Sequence, residues 1–168
     1  MAPVASRRMR RLRLSLVLVA IGLLAVGVLV GHVIAQSGNS SAKRTALAES
    51  TKVRGVSGRT LGLSRVTIPV GGKIALHHHE GTQVSYINSG VLTYTVKSGG
   101  VTVRSGPADN PTILRKINAG QTGAIRAGQW IVEQPSTIHR AANKGGTKIV
   151  IYLATLLKKG APPSTPNG

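Results

Sequence analysis

The sequence predicts an all-β domain, a single antiparallel sandwich or barrel, preceded by one hydrophobic helix. Three observations lead to this prediction. Short runs of β-type residues alternate with Gly, Pro, Asn and Ser turns, helical periodicity is absent apart from residues 112–117, and one apolar stretch lies near the N-terminus. Many short strands at close spacing are typical of antiparallel sandwiches and barrels. A chain of 168 residues has room for one such domain.

The apolar stretch covers residues 14–35 and carries no formal charge. A run of about 20 apolar residues is enough to span a bilayer as a helix. The basic N-terminus, residues 1–13, contains an arginine cluster that the positive-inside rule keeps in the cytoplasm. We therefore expect a single-pass membrane anchor with the rest of the chain outside the cytoplasm. The alternative is a signal peptide, because Val33 and Ala35 offer small residues for cleavage, and the protein would then be secreted.

The chain beyond this segment divides into a linker, a β domain and a tail. Residues 36–52 are polar and predict a linker with one helical turn at residues 45–49, and the Pro-rich residues 159–168 predict a flexible tail. Residues 53–158 form the predicted domain. Its expected strands are residues 65–69, 73–79, 83–88, 91–96, 101–104, 122–126, 129–133, 139–142 and 148–156.

Composition excludes some functions and restricts others. Lys and Arg outnumber Asp and Glu by 22 to 4, which raises the question of nucleic-acid binding. The basic residues outside the N-terminal cluster are scattered, and the chain has one Trp, three Tyr and no Phe, so it lacks stacking platforms for bases. We expect no nucleic-acid partner. The chain also has no Cys, so a metal would be held by His, carboxylate, amide or water.

A histidine pattern in residues 71–90 indicates a site. His77 and His79 are two residues apart, so on a strand they face the same side, while His78 and Glu80 face the other. Gln83 follows after a short turn, where its side chain can return to the same pocket. His139 lies on another predicted strand 60 residues after His79.

These residues resemble the two motifs of the cupin superfamily, small single-domain cupins in particular. In the first motif a Gly is followed by two His, a Glu and a second Gly at fixed spacing, and this chain matches it with Gly71, His77, His79, Gln83 and Gly90, so only the Glu is changed. The second motif corresponds to Gly128, Gln134, Ser136, His139 and Asn143. Its Pro and second Gly are not kept in place, although Pro135 lies one residue late.

The resemblance implies a jelly-roll barrel whose inner face holds a divalent metal through His77, His79, His139 and the residue at the Glu position, here Gln83. Fe, Ni, Zn and Mn all remain open. A Gln amide offers a neutral oxygen in place of a carboxylate, so affinity for Mn(II) should suffer most. The change also fits a barrel that binds a small-molecule ligand without catalysis. The alternative is a metal-dependent enzyme of dioxygenase or isomerase type, and a homodimer is a further expectation.

Further interpretations concern five single residues. Glu80 would supply the missing carboxylate only if the turn began one residue early. Glu133 is interpreted as a strand residue facing solvent, with a role inside the barrel as general base or metal-supporting partner left as the alternative. Tyr86, Tyr94 and Trp130, three of the four large rings of the domain, are expected at core or mouth positions, with ligand contact as the alternative.

Overall fold

The computed structural model describes residues 41–167, which fold into twelve β-strands. In chain order these are β1 (Lys43–Ser50), β2 (Arg59–Ile68), β3 (Lys73–His78), β4 (Gly81–Ser89), β5 (Val91–Ser98), β6 (Gly100–Ser105), β7 (Thr112–Asn118), β8 (Thr122–Arg126), β9 (Gln129–Glu133), β10 (Ile138–Ala142), β11 (Ile149–Lys158) and β12 (Thr165–Pro166).

The strands form two antiparallel sheets. Seven strands form one sheet in the order β1-β2-β11-β4-β9-β6-β7, and five form the other in the order β12-β3-β10-β5-β8. The chain passes from one sheet to the other at almost every connection after β2, as in a jelly roll. The all-β jelly-roll prediction is therefore confirmed for the described residues.

The core consists mainly of Val and Ile, whose branched side chains pack well on a pleated surface. Burial alternates along the central strands β4 and β11, so that one face of each points inward. Side chains with no more than 1% exposure come from both sheets and include Ile68, Ile87, Val96, Val103, Ile125, Ile131 and Ile149.

The structure differs from the sequence prediction at three segments. Residues 43–50 were expected in a linker with a helical turn, but they form β1, which pairs with β2 along its length. The expected flexible tail contains β12, which pairs with β3, and Ser164 just before it is buried. Residues 112–117, where helical periodicity was noted, lie in the strand β7.

The predicted basic N-terminus, the membrane segment 14–35 and the first residues of the linker lie outside the described residues. Among residues 41–167, no helix is long and apolar enough to cross a membrane. The membrane anchor, the domain limits and the homodimer stay predictions.

Gly81 sets the path of the chain between His79 and Gln83. A Cβ atom at this position would collide with the carbonyl oxygen of Leu156 on β11. Only glycine allows this close approach of the two backbones. The chain can therefore leave β3 of one sheet and enter β4 of the other within three residues, and this places His79 and Gln83 beside each other.

Candidate metal centre

Three buried histidines converge between the two sheets. His77 on β3 lies directly opposite His139 on β10, and His79 follows the end of β3. Their ring centroids are 4.2 Å apart for His77 and His139, 4.9 Å for His77 and His79, and 5.3 Å for His79 and His139. One ligand atom from each ring lies within 4.8 Å of the others. The strand pairing thus joins the two halves of the sequence pattern.

The tautomer of each ring follows from its backbone contact. Every Nδ1 atom lies at hydrogen-bond distance from a carbonyl oxygen, namely His77 to Ala75 at 2.8 Å, His79 to Pro163 at 2.8 Å and His139 to Thr137 at 3.2 Å. A carbonyl oxygen only accepts, so each Nδ1 carries the proton and donates it. Metal-binding histidines are commonly held in this way, since the bond fixes the ring and leaves Nε2 for the ion. Nε2 of His139 also lies 3.0 Å from the Glu133 carboxylate and is hydrogen-bonded to it, so an ion that binds His139 would replace this hydrogen bond.

Burial keeps the first two histidines neutral. Desolvation, together with the nearby His139 and His79 rings, lowers the pKa of His77 to about 3. Desolvation also lowers the pKa of His79, against the attraction of Glu133. A metal ion requires the unprotonated Nε2 atom, so neither ring must lose a charge before binding.

Glu133 lies beside His139 and His79, at 3.0 Å and 4.0 Å from their Nε2 atoms. It is 2% exposed, and both of its carboxylate oxygens have partners. Oε1 accepts a hydrogen bond from the Tyr94 hydroxyl at 2.7 Å and lies 3.0 Å from Nε2 of His139. Oε2 accepts from the Ser85 hydroxyl at 2.8 Å and from Nε2 of Gln83 at 2.6 Å.

The charge state of Glu133 is set by its neighbours. Burial by itself would raise the pKa of this carboxyl, but the attraction and hydrogen bond of His139, the attraction of His79 and the Tyr94 hydrogen bond together hold the pKa well below its usual range. Burial, the Glu133 charge and the hydrogen bond to it raise the pKa of Tyr94 well above its usual value. Tyr94 therefore keeps its proton and donates it to an ionised carboxylate.

The sequence interpretation of Glu133 as a strand residue facing solvent is therefore wrong, because its side chain is buried in the barrel. Strand alternation explains the difference, because Ile131, two residues earlier on β9, is fully buried and points to the same face. The sequence carried no clear signal for this, because Trp130 and Val132 on the opposite face of β9 are apolar as well as Ile131.

Gln83 is also buried, and its amide is oriented by Glu133. The two residues lie opposite each other on the paired strands β4 and β9. The amide nitrogen points to Glu133 and also lies 3.3 Å from Nε2 of His79. The amide oxygen is buried, and within the described residues it has no hydrogen-bond partner. An orphaned buried acceptor costs about 1–3 kcal/mol, so this oxygen would gain from a cation or donor in the site.

The remaining candidates lie away from the centre. His78 and Glu80 face the other side of β3, as strand alternation predicted, and pair with each other at 3.2 Å. Tyr86 is 43% exposed. Trp130 stacks with Arg104, whose guanidinium carbon is 5.2 Å from the ring. Of Tyr86, Tyr94 and Trp130, only Tyr94 lines the site, where it stacks on His139 with centroids 4.9 Å apart.

The histidines border a cavity of about 80 Å³ with mostly apolar walls. Besides the polar residues described above and Ser164, its lining consists of Ala42, Arg44, Val66, Ile74, Leu92, Ile131, Ala141, Ile151 and Leu153. Arg44, which lies on β1, is the one arginine of this lining. Sequence reasoning missed it because β1 was interpreted as linker.

The fold is that of cupins. A cupin 2 domain-containing protein from Halorhodospira halophila superposes with a TM-score of 0.50 at 12% identity, covering 78% of this chain and 73% of that protein. A cupin superfamily protein from Desulfitobacterium hafniense gives a TM-score of 0.48 at 14% identity, covering 72% and 82% of the two chains. KdgF from a Halomonas species gives 0.45 at 17% identity, covering 68% and 77%. No protein-family model matches the sequence, and neither does any curated protein.

Proposed function

We propose that this protein is a metal-binding cupin barrel that holds a divalent ion through His77, His79 and His139 and takes a small-molecule ligand in the adjoining cavity. One observation carries the proposal. Three buried imidazoles donate their Nδ1 protons to backbone carbonyls and bring their ligand atoms within 4.8 Å of one another. The bound ion would supply a Lewis acid to which an oxygen ligand can attach.

The residues present fit such an ion, and Glu133 supports it as a carboxylate ligand. Donor atoms bound about 2.1 Å from one ion stand about 3.4 Å apart in a tetrahedral site and about 3.0 Å apart where they are at right angles. Oε1 of Glu133 lies 3.0 Å from Nε2 of His139. The acidic residue that the first cupin motif would place at Gln83 is thus present one strand away, directly opposite on β9. In this proposal Gln83 serves mainly to hold Glu133, and its unpartnered oxygen is a second donor.

Adding metal to metal-free protein tests the proposal. Purified full-length protein, stripped with a chelator, is titrated with Zn(II), Ni(II), Mn(II) or anaerobic Fe(II), and its melting temperature is measured. At 100 times the dissociation constant, binding raises the free energy of unfolding by about 2.7 kcal/mol. For a domain of this size, that corresponds to about 5–10 °C. No shift with any of the four ions, together with no metal in the protein as purified, would contradict the proposal.

A metal-dependent enzyme of dioxygenase or isomerase type is the second candidate. The observation that favours it is the Glu133 carboxylate, which lines the cavity beside the histidines and is hydrogen-bonded to the Tyr94 hydroxyl. A carboxylate within reach of a bound substrate can accept a proton. Mass spectrometry of a bound ligand after incubation distinguishes the two candidates. A ligand that is recovered unchanged supports the binding protein, and a ligand that is converted supports the enzyme.

We also propose that residues 14–35 anchor the protein in the cell membrane with the barrel outside the cytoplasm. The proposal is supported by the uncharged length of this segment and by the arginines that precede it. The full-length protein is expected in the membrane fraction after a carbonate wash, and deletion of residues 14–35 is expected to release it. A mature protein that begins after Ala35 and is found in the medium would support secretion instead.

A further inference from the structure

Arg44 lies between the cavity beside the histidines and a second, larger pocket, and it is the residue that the two linings share. The second pocket is bordered by residues of β1, β2 and β11, including Ala46, Ser64 and Thr155, and by the charged Glu49 and Lys159. A ligand in the cavity beside the histidines therefore has this guanidinium at its border.

The Arg44 guanidinium has no hydrogen-bonded partner among residues 41–167. No described residue forms a hydrogen bond or ion pair with it. Glu133 is the nearby opposite charge, but its oxygens are already engaged by Tyr94, His139, Ser85 and Gln83. Burial lowers the pKa of Arg44 to about 10, although Glu133 opposes this effect. The group stays charged near neutral pH, and no side chain or carbonyl of the described residues accepts a hydrogen bond from it.

An unpaired, half-buried guanidinium is costly unless something pairs with it. The planar fork of arginine matches a carboxylate, which can accept two parallel hydrogen bonds. The charges of the site also favour an anion, because a divalent ion and Arg44 together exceed the single negative charge of Glu133. The apolar walls exclude a highly hydrated polyanion, and a cavity of about 80 Å³ admits a compact molecule.

We propose that the natural ligand is a small carboxylate with a short apolar body, and that Arg44 is the residue that binds its carboxylate group. This inference rests on the proposed function in placing the ligand in the cavity beside the metal site and in counting the charge of the bound ion. Arg44 selects the charge of the ligand, and the walls formed by Val66, Ile74 and Leu153 contact its apolar part.

Propionate and its neutral amide, propionamide, are the probes. Binding is measured by isothermal titration calorimetry at about 150 mM salt, on full-length protein that is loaded with Zn(II). Wild type is expected to bind propionate at least tenfold more tightly than propionamide. Arg44→Gln is expected to lose about 10- to 100-fold in propionate affinity, the usual effect of removing a charged hydrogen-bonding partner, and Arg44→Lys should lie between the two.

Arg65→Gln is the matched control, since Arg65 is exposed on the neighbouring strand β2 and outside the cavity lining. The chain has a net charge of +18, and Arg65→Gln lowers it by the same amount as Arg44→Gln. Its propionate affinity therefore shows how much of any loss comes from the general attraction of anions to a positively charged protein. Equal propionate affinity of wild type and Arg44→Gln overturns the inference, as does equal binding of propionate and propionamide. Because Zn(II) binding is measured before the probe is added, a failure of the metal site is recognised separately. If Arg44→Gln does not fold, Arg44→Lys and the comparison of the two probes on wild type still decide.

Discussion

Replacing His77 with alanine is expected to weaken Zn(II) binding by more than about 100-fold. Loss of a residue that merely supports a metal ligand typically costs 10- to 100-fold in affinity, so loss of a ligand should cost more. His77 is 5% exposed and lies opposite His139, and His78, the one imidazole of the described residues outside the cluster, is paired with Glu80. The measurement is a competition titration against a chromophoric chelator.

His78→Ala is the matched control for this prediction. His78 is the next residue on β3, but it faces away from the cavity and contacts Glu80 and Asn167. Its replacement removes the same side chain from the same strand and is expected to leave Zn(II) affinity within about threefold. Similar losses for His77→Ala and His78→Ala would mean that the metal binds elsewhere in the histidine triplet.

Much of the strand structure could be predicted from local sequence. The alternation of His77 and His79 against His78 and Glu80 needs only the period of a β-strand, and the structure has this arrangement. β1 and β12 could not be found in this way, because their sequences are polar or contain Pro. They are strands because β2 and β3 offer them hydrogen-bonding edges, which is a tertiary effect.

The site could be predicted only in part for the same reason. The three histidines follow from spacing and a family resemblance. The contact between Gln83 and Glu133 depends on the register of β4 against β9, two strands about 50 residues apart in sequence. Arg44 and the Pro163 carbonyl lie in or next to β1 and β12, whose positions depend on pairing with other strands of the barrel. The charged residues around the histidines therefore could not be predicted from local sequence, because their positions depend on tertiary strand pairing.

Exchanging the acid and the amide tests where the carboxylate ligand resides. Glu133→Gln is expected to reduce Mn(II) affinity by at least about tenfold and Zn(II) affinity by less, since Mn(II) depends more on oxygen ligands than Zn(II) does. The double variant Gln83→Glu/Glu133→Gln restores a carboxylate at the position of the first cupin motif. It keeps the pair of one acid and one amide across β4 and β9, so we expect it to recover Mn(II) binding. Affinities are measured by titration with Mn(II) followed by electron paramagnetic resonance.

Gln83→Glu alone provides the control for charge in this exchange. The Gln83 amide nitrogen is 2.6 Å from Oε2 of Glu133, so a second carboxylate would stand against the first in a buried site. The metal-free variant is therefore expected to melt below wild type, and the difference should shrink or reverse when Mn(II) is added. Unchanged Mn(II) affinity in Glu133→Gln would remove Glu133 from the ligand set and leave the three histidines with the Gln83 oxygen. If the double variant stays as weak as Glu133→Gln, the carboxylate acts only from β9, which means that the barrel has moved its acidic ligand by one strand.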